Sequence, residues 1–445
     1  MGILGAMATA VSGLRVQSYA LENISGNIAN SQTTGFKRVD TSFVDLIPDL
    51  PAGRELAGSV SAQSRLTNTV AGNLQPTGIA TNMALSGEGF FVVQNPSGNG
   101  NLYTRRGDFT QDKDGHLVNG AGYLLKGTLL DPTTGTAIGS GNDLVQISTQ
   151  PIAASKTTEV VYRANLPSAP ATPAAVAAGT SATTADRLLP ASVNLAAPVP
   201  GTAAFTDHSI SGGTLTVYDA LGAPSDVQLR WAKTDDASLG GAHKDSWALL
   251  YRSDSSGNGT WQQAGTNVDF DVNGRITAPA SNKLSIASLV IDGKTIGPVD
   301  VTFNDSNGVT QFADSDGLVK PSLVTQNGYP QGTLESLSVT SDGHITGSYS
   351  NGRVISLAQV SVAQFNADDA LKRLDGGVYQ ETLESGLPII SQNGTTIVGA
   401  NVEGSNTDIA DEFSKIIVTQ QAYSANTRVV STSQQMLTDV LNIIR

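Results

Sequence analysis

The residues able to do chemistry in this chain are few and far apart. It has four histidines and no cysteine. His116, His208, His243 and His344 each lie in a turn or loop setting, none at the short spacing that lets imidazoles share a metal ion. Without a thiol, a disulfide framework, a thiolate metal site and a cysteine nucleophile are excluded. The run Asp112-Lys113-Asp114-Gly115 begins like a calcium loop, but His116 takes the fifth position and no glutamate closes it at the twelfth. A hairpin turn explains it better. Gly87-Glu88-Gly89 has neither the lysine nor the flanking helix pattern of a phosphate loop. The expectation is no catalytic, cofactor-binding or metal-binding residue, and so no enzyme.

Composition narrows the remaining classes. A chain of 445 residues has room for about two to four domains. With 5% aromatic and 15% charged residues beside 47 glycines, it favours β-rich bodies with many turns. The net charge of −13 is uneven: residues 1–38 carry +2, residues 403–445 carry −2, and the middle holds the rest. An acidic body argues against nucleic-acid binding, and weakly charged ends can be packed away together. No apolar run reaches the ~18 residues of a membrane span, so no membrane insertion is expected. The first basic residue is Arg15, and Thr9, Ser12 and Gly13 interrupt the apolar start, which is unlike a cleaved secretory signal. Export, if any, is expected by another route, and the lack of cysteine suits a chain carried unfolded.

What must position any function is a pair of helical ends. All 18 prolines fall between Pro48 and Pro388, leaving both termini free to form long helices. Ile3, Met7, Ala10, Leu14, Gln17, Leu21, Ile24 and Ile28 alternate in steps of four and three. Ile409, Phe413, Ile416, Gln420, Tyr423, Thr427, Val430, Gln434, Leu437, Leu441 and Ile444 repeat the pattern. This is the spacing of a coiled-coil seam. Ala6, Ala20, Ala29, Val429 and Val440 lie on faces that one partner helix cannot cover, which points to self-assembly rather than to a closed helical hairpin.

Between the ends, Asp114-Gly115, Asn119-Gly120, Asn273-Gly274, Asp292-Gly293, Asn307-Gly308, Asp342-Gly343 and Asn351-Gly352 supply hairpin chemistry. Phe90–Gln94, Val160–Arg163, Thr214–Tyr218 and Val227–Trp231 read as strands. Residues 166–204, rich in Ala, Pro, Thr and Ser, read as a loosely ordered boundary. Trp231, Trp247 and Trp261 all lie beyond it, which predicts a second β core.

Three motifs in order carry a resemblance. Asn27-Ile28-Ala29-Asn30-Ser31-Gln32-Thr33-Thr34-Gly35-Phe36-Lys37 resembles the N-terminal signature of the flagellar rod and hook family. Ala84-Leu85-Ser86-Gly87-Glu88-Gly89-Phe90-Phe91-Val92-Val93 is similar to a second motif of that family. Glu403-Gly404-Ser405-Asn406-Thr407-Asp408, then Glu412-Phe413 and Gln420-Gln421-Ala422-Tyr423-Ser424-Ala425-Asn426-Thr427-Arg428-Val429, resemble a third. The family often has Arg at the place of Gln421 and Val at that of Thr407; neither change alters the helix pattern. Length and the segments Tyr162–Pro167, Val217–Pro224 and Asn327–Tyr329 resemble hook rather than rod members.

The resemblance implies a mainly β fold with α-helical termini. The helices, 1–30 and 406–445, would form a coiled-coil-like inner domain. Residues 31–70 and 395–405 would connect it to an all-β middle domain, 71–165 and 321–394. A second all-β domain, 166–320, would be inserted in the first. It also implies a polymer of the chain with itself, curved into a tube that joins rod to filament. The partners so implied are the distal rod protein, the hook–filament junction protein, the hook cap and the flagellar type III export apparatus. The implied location is extracellular, at the cell surface, without a cleaved signal peptide. A straight rod subunit and a secreted β-rich adhesin or hydrolase are the competing readings.

Overall fold

Freedom from proline lets both ends run as long helices. The computed structural model describes residues 3–46, 59–98, 100–254, 256, 259–303, 308–391 and 394–443. Helix α1 spans Ile3–Ala29 and helix α2 spans Ile409–Ile443. Asp408 starts α2: its Oδ1 accepts the backbone N–H of Ala410 at 2.8 Å. Asp411 and Glu412 in the first turn complement the helix dipole. At the end of α1, Asn30 donates to the Gly26 carbonyl at 2.9 Å, and Gly35 turns the chain with φ of 67°. Strands β1 (Val39–Leu46) and β2 (Ser59–Leu66) form an antiparallel hairpin. It lies along α1, where Ser12 Oγ donates to the Val60 carbonyl at 2.8 Å and Asn23 donates to Thr41 Oγ1 at 2.9 Å.

The contacts divide the chain into two units, residues 1–150 with 334–445, and residues 151–333. In the first, the body is a 13-stranded sheet system in which strands from both halves of the chain interleave. Val354–Val360 pairs antiparallel with Leu124–Leu130, and Val378–Gln380 with Asn101–Thr104. The continuous apolar run of Phe90–Gln94 has its cause here, because the strand is buried on both faces. Phe91 and Val93 enter one core with Met83, Phe109 and Ile345, while Phe90 and Val92 enter another with Tyr103 and Tyr379.

The second unit packs a five-stranded and a seven-stranded sheet around one core that holds Tyr162, Trp231, Trp247 and Phe303. Tyr162 OH donates to the Gly212 carbonyl and accepts from Trp231 Nε1, so the buried polar tips are satisfied. The unit is wider than the 166–320 expected. Strand Glu159–Pro167 pairs with Lys320–Gln326 inside its five-stranded sheet, which draws both flanks of the insertion into this unit.

The loosely ordered boundary expected at 166–204 is corrected. It is a strap with helical turns at Pro173–Ala178, Thr184–Arg187 and Ala203–Thr206 and a short strand, Val199–Pro200, paired with Thr260–Gln263. Val199 and Phe205 are buried with Leu250 and Trp261, and Leu189, Val193 and Leu195 pack on them. Two cations from the sheet pin it. Arg230 donates to the Thr206 and Ser209 carbonyls at 2.9 and 2.7 Å. Lys233, itself buried, reaches the Ser168 carbonyl at 3.0 Å while paired with Asp236 and Asp245.

Candidate functional site

The helical ends meet their own body through an anchor of buried polar groups. Asn27 is buried at the last turns of α1. Its Nδ2 donates to Glu412 Oε2 and to the Val39 carbonyl, each at 3.0 Å, and its Oδ1 accepts the Val39 N–H at 2.9 Å. Glu412, also buried, accepts from Lys415 Nζ at 2.7 Å, and Lys415 pairs with Asp40 at 3.2 Å. Burial works against the Lys415 charge, but Glu412 and Asp40 outweigh it and hold its pKa above the usual lysine value. One asparagine thus ties α1, β1 and α2 together.

Just below, Asn406 accepts the Arg38 N–H at 2.7 Å and donates to the carbonyls of Thr67 and Val70. Glu403 is fully buried between two cations, Lys37 at 2.5 Å and Arg105 at 3.4 Å, and accepts the Gly72 N–H at 2.8 Å. Burial is the larger influence on Lys37 and lowers its pKa in spite of Glu403. Arg105 also donates to the Gly87 carbonyl at 2.8 Å, which brings the second motif into the anchor. Arg373 stacks over Phe36 at 4.3 Å. Gly89 adjoins the Phe90 strand; Thr34 is half-buried, and Ser405 Oγ accepts the Thr407 N–H at 3.2 Å. The motif residues of the anchor are therefore scaffold, and they hold the helices to the body.

Along the helices the packing face differs from the expected seam. On α2 the residues turned to α1 and the hairpin include Glu412, Thr419, Asn426 and Ser433, a column seven apart that is polar throughout. α1 approaches closely there: a Cβ at Gly13 would lie 2.8 Å from Asn426 Nδ2. On α1 the buried positions are Ala10, Val16, Ala20, Ile24 and Asn27. Of the expected assembly residues, Ile24 is buried, and Ile3, Met7, Leu14, Leu21, Ile28, Ile416, Val430 and Leu437 are half-buried. Ile409, Phe413, Tyr423 and Leu441 are exposed, as is Gln420, and Ile444 lies outside the described residues. On α2 small and polar residues take the inner face because they let the helices come close, and Ile409, Phe413, Tyr423 and Leu441 stay outward.

Glu403 and Glu412 stood in the motifs without a role, and Arg105, Asp40 and Lys415 carried no signal at all. The seven-residue spacing of Glu412, Thr419, Asn426 and Ser433 was the one clue available.

Asp112 Oδ1 accepts the N–H groups of Asp114 and His116 at 2.9 and 2.8 Å, so the calcium-like loop closes on itself as a hairpin turn. Among the described residues, no group of three His, Asp or Glu could hold a metal ion, and no helix is long and apolar enough to cross a membrane.

A β-rich body whose two ends form one anchored helical pair with apolar residues facing outward is the build of a self-assembling structural subunit. Four family models match the chain in order. They are flagella basal body rod protein (7–37), flagellar hook protein FlgE/F/G D1 domain (84–154), flagellar basal body protein FlaE D2 domain (189–329) and flagellar basal body rod FlgEFG protein C-terminal (399–443). The flagellar hook protein FlgE of Escherichia coli K12 is 29% identical over 98% of this chain and 100% of its own length. That of Rhizobium meliloti is 27% identical, and that of Treponema pallidum 28%, over the full length of both chains. The crystal structure of Helicobacter pylori flagellar hook protein FlgE2 covers 73% of this chain and 98% of its own at a TM-score of 0.52 and 16% identity, a likeness of fold. The chain belongs to the flagellar hook protein family. It is a self-polymerising structural protein of the flagellum and not an enzyme.

Proposed function

We propose that this chain builds the curved, flexible tube that transmits motor torque from rod to filament and encloses the export channel. Flagellum-dependent motility needs it. The helices, 1–30 and 406–445, line the inner wall, with 31–70 and 395–405 connecting them to a middle layer formed by the rest of the first unit, 71–150 and 334–394. The second unit, 151–333, faces outward. The tube sits outside the cell. Its chain is delivered by the flagellar type III export apparatus beneath a hook cap and joins the distal rod protein below and the hook–filament junction protein above.

One observation carries this reading. α2 leaves Phe413, Val418, Val429, Met436 and Leu441 between 44% and 67% exposed, on both flanks of the face that α1 covers. Helices from neighbouring copies supply the missing cover and gain its hydrophobic free energy. Electron microscopy of the polymerised chain tests it: curved tubes are expected, and straight ones would favour a rod. Removal of residues 1–28 or 409–445 should leave a folded, soluble body that makes no tube. Leu437→Asp should block assembly and Asp316→Ala should not, because a charge in a helix interface lacks a partner.

A further inference from the structure

The body of the first unit holds a second apolar surface that its own chain leaves open. Within the loop 381–390, Leu383 is 104% exposed, Leu387 80%, Ile389 51% and Ile390 48%. The loop has a fixed shape. The Thr382 N–H donates to Ser385 Oγ at 2.9 Å, and the Ser385 N–H donates back to Thr382 Oγ1 at 3.1 Å. Thr382 Oγ1 ties this turn to the Ala370 carbonyl at 2.9 Å, and Ser385 is fully buried. On the far side, Ile389 and Ile390 pair with Gln364 and Ala363, while their other edge meets no strand among the described residues. A turn pinned at both sides cannot fold its leucines inward, so four large apolar side chains stand in water over eight residues. A patch of this kind marks a docking surface.

We propose that Leu383–Ile390 is a face by which one copy of this chain docks on the next. The proposal rests on the reading of the chain as a self-polymerising subunit, which makes the neighbours of this body copies of itself. The contact is heterologous. Two identical patches meeting about a two-fold axis close into a dimer and end growth, whereas a tube continues only where the patch meets a different surface of the next copy.

The absence of cysteine makes the test clean. Full-length Leu383→Cys carries a single thiol at the tip of the loop, and its reaction with a maleimide is followed in monomer and in polymer. The rate should fall about tenfold or more on polymerisation, as the patch core becomes dry. An unchanged rate overturns the proposal. As a second measurement, the doubly substituted Leu383→Asp, Leu387→Asp chain should keep the monomer's circular dichroism yet stay soluble where the unmodified chain polymerises. Normal polymer yield from it would also overturn the proposal. If the unmodified chain forms no polymer, the assembly reading falls and takes this contact with it. If it polymerises with the thiol still open, this contact alone falls.

Discussion

Asn27 and Glu412 stand 385 positions apart in the chain and share a buried hydrogen bond of 3.0 Å. That contact makes the two ends a single structural element, because the same asparagine also holds both the N–H and the carbonyl of Val39. Asn27→Ala should therefore loosen helices and hairpin together, by about 1–3 kcal/mol, the cost of stranding buried polar partners. Limited proteolysis should show the termini cut sooner, with the melting of the β body unchanged. Equal protection of the ends in both proteins would count against the anchor.

Glu403→Gln tests the layer beneath. The substitution keeps the shape of the side chain but leaves Lys37 and Arg105 buried around a neutral group. A loss of about 3–5 kcal/mol is expected on removing one partner of a buried ion pair, read as a drop in the denaturant midpoint. A loss below ~1 kcal/mol would show that the two cations find other partners.

Asp368 should make stability depend on pH. Burial raises its carboxyl above the usual value of 3.8, with Glu88 and Asp369 adding to the rise and Arg105 opposing it. Its Oδ1 is buried and finds no hydrogen-bond partner among the described residues. A group with a raised folded pKa contributes stability below 3.8 and loses it as pH climbs through the folded value. Asp368→Asn should consequently melt higher than the parent at neutral pH, and the gain should vanish in acid. A gain that persists unchanged below the unfolded pKa would refute this account.

Thr407 carries a buried hydroxyl that finds no hydrogen-bond partner among the described residues, at the point where the chain enters α2. Thr407→Val removes that polar atom and keeps the branching. Thermal melts should show a gain of about 1 kcal/mol. Destabilisation would imply that the hydroxyl is bonded after all.

Deleting residues 170–200 should unfold the second unit. The cut removes Leu189, Val193, Leu195 and Val199 from over Leu250 and Trp261, and takes out the strap between the points where Lys233 and Arg230 pin it, Ser168 and Thr206. Tryptophan fluorescence of the shortened chain should shift to the red. A native spectrum would show that the fold of the second unit does not need the strap.

Elements whose cause is local could be read from the residues alone. Proline-free periodic ends gave α1 and α2, and the run Phe90–Gln94 announced a strand. The turn at Asp112–Gly115 followed from residues that stabilise tight turns on their own. The strap at 168–209 was illegible, because its apolar residues come singly, with neither helical nor strand period, and its pins are side chains of distant strands. Which helix face turns inward depended on packing between distant parts of the chain. Period marks an apolar stripe, but on α2 the close approach of Gly13 to Asn426 turns a small polar column inward and leaves Ile409, Phe413, Tyr423 and Leu441 of the stripe exposed. The anchor was decided in the same way. Lys37, Arg105 and Glu403 come from three separate stretches of chain, and a charge acquires a buried partner only when folding has brought the two together and removed the water between them.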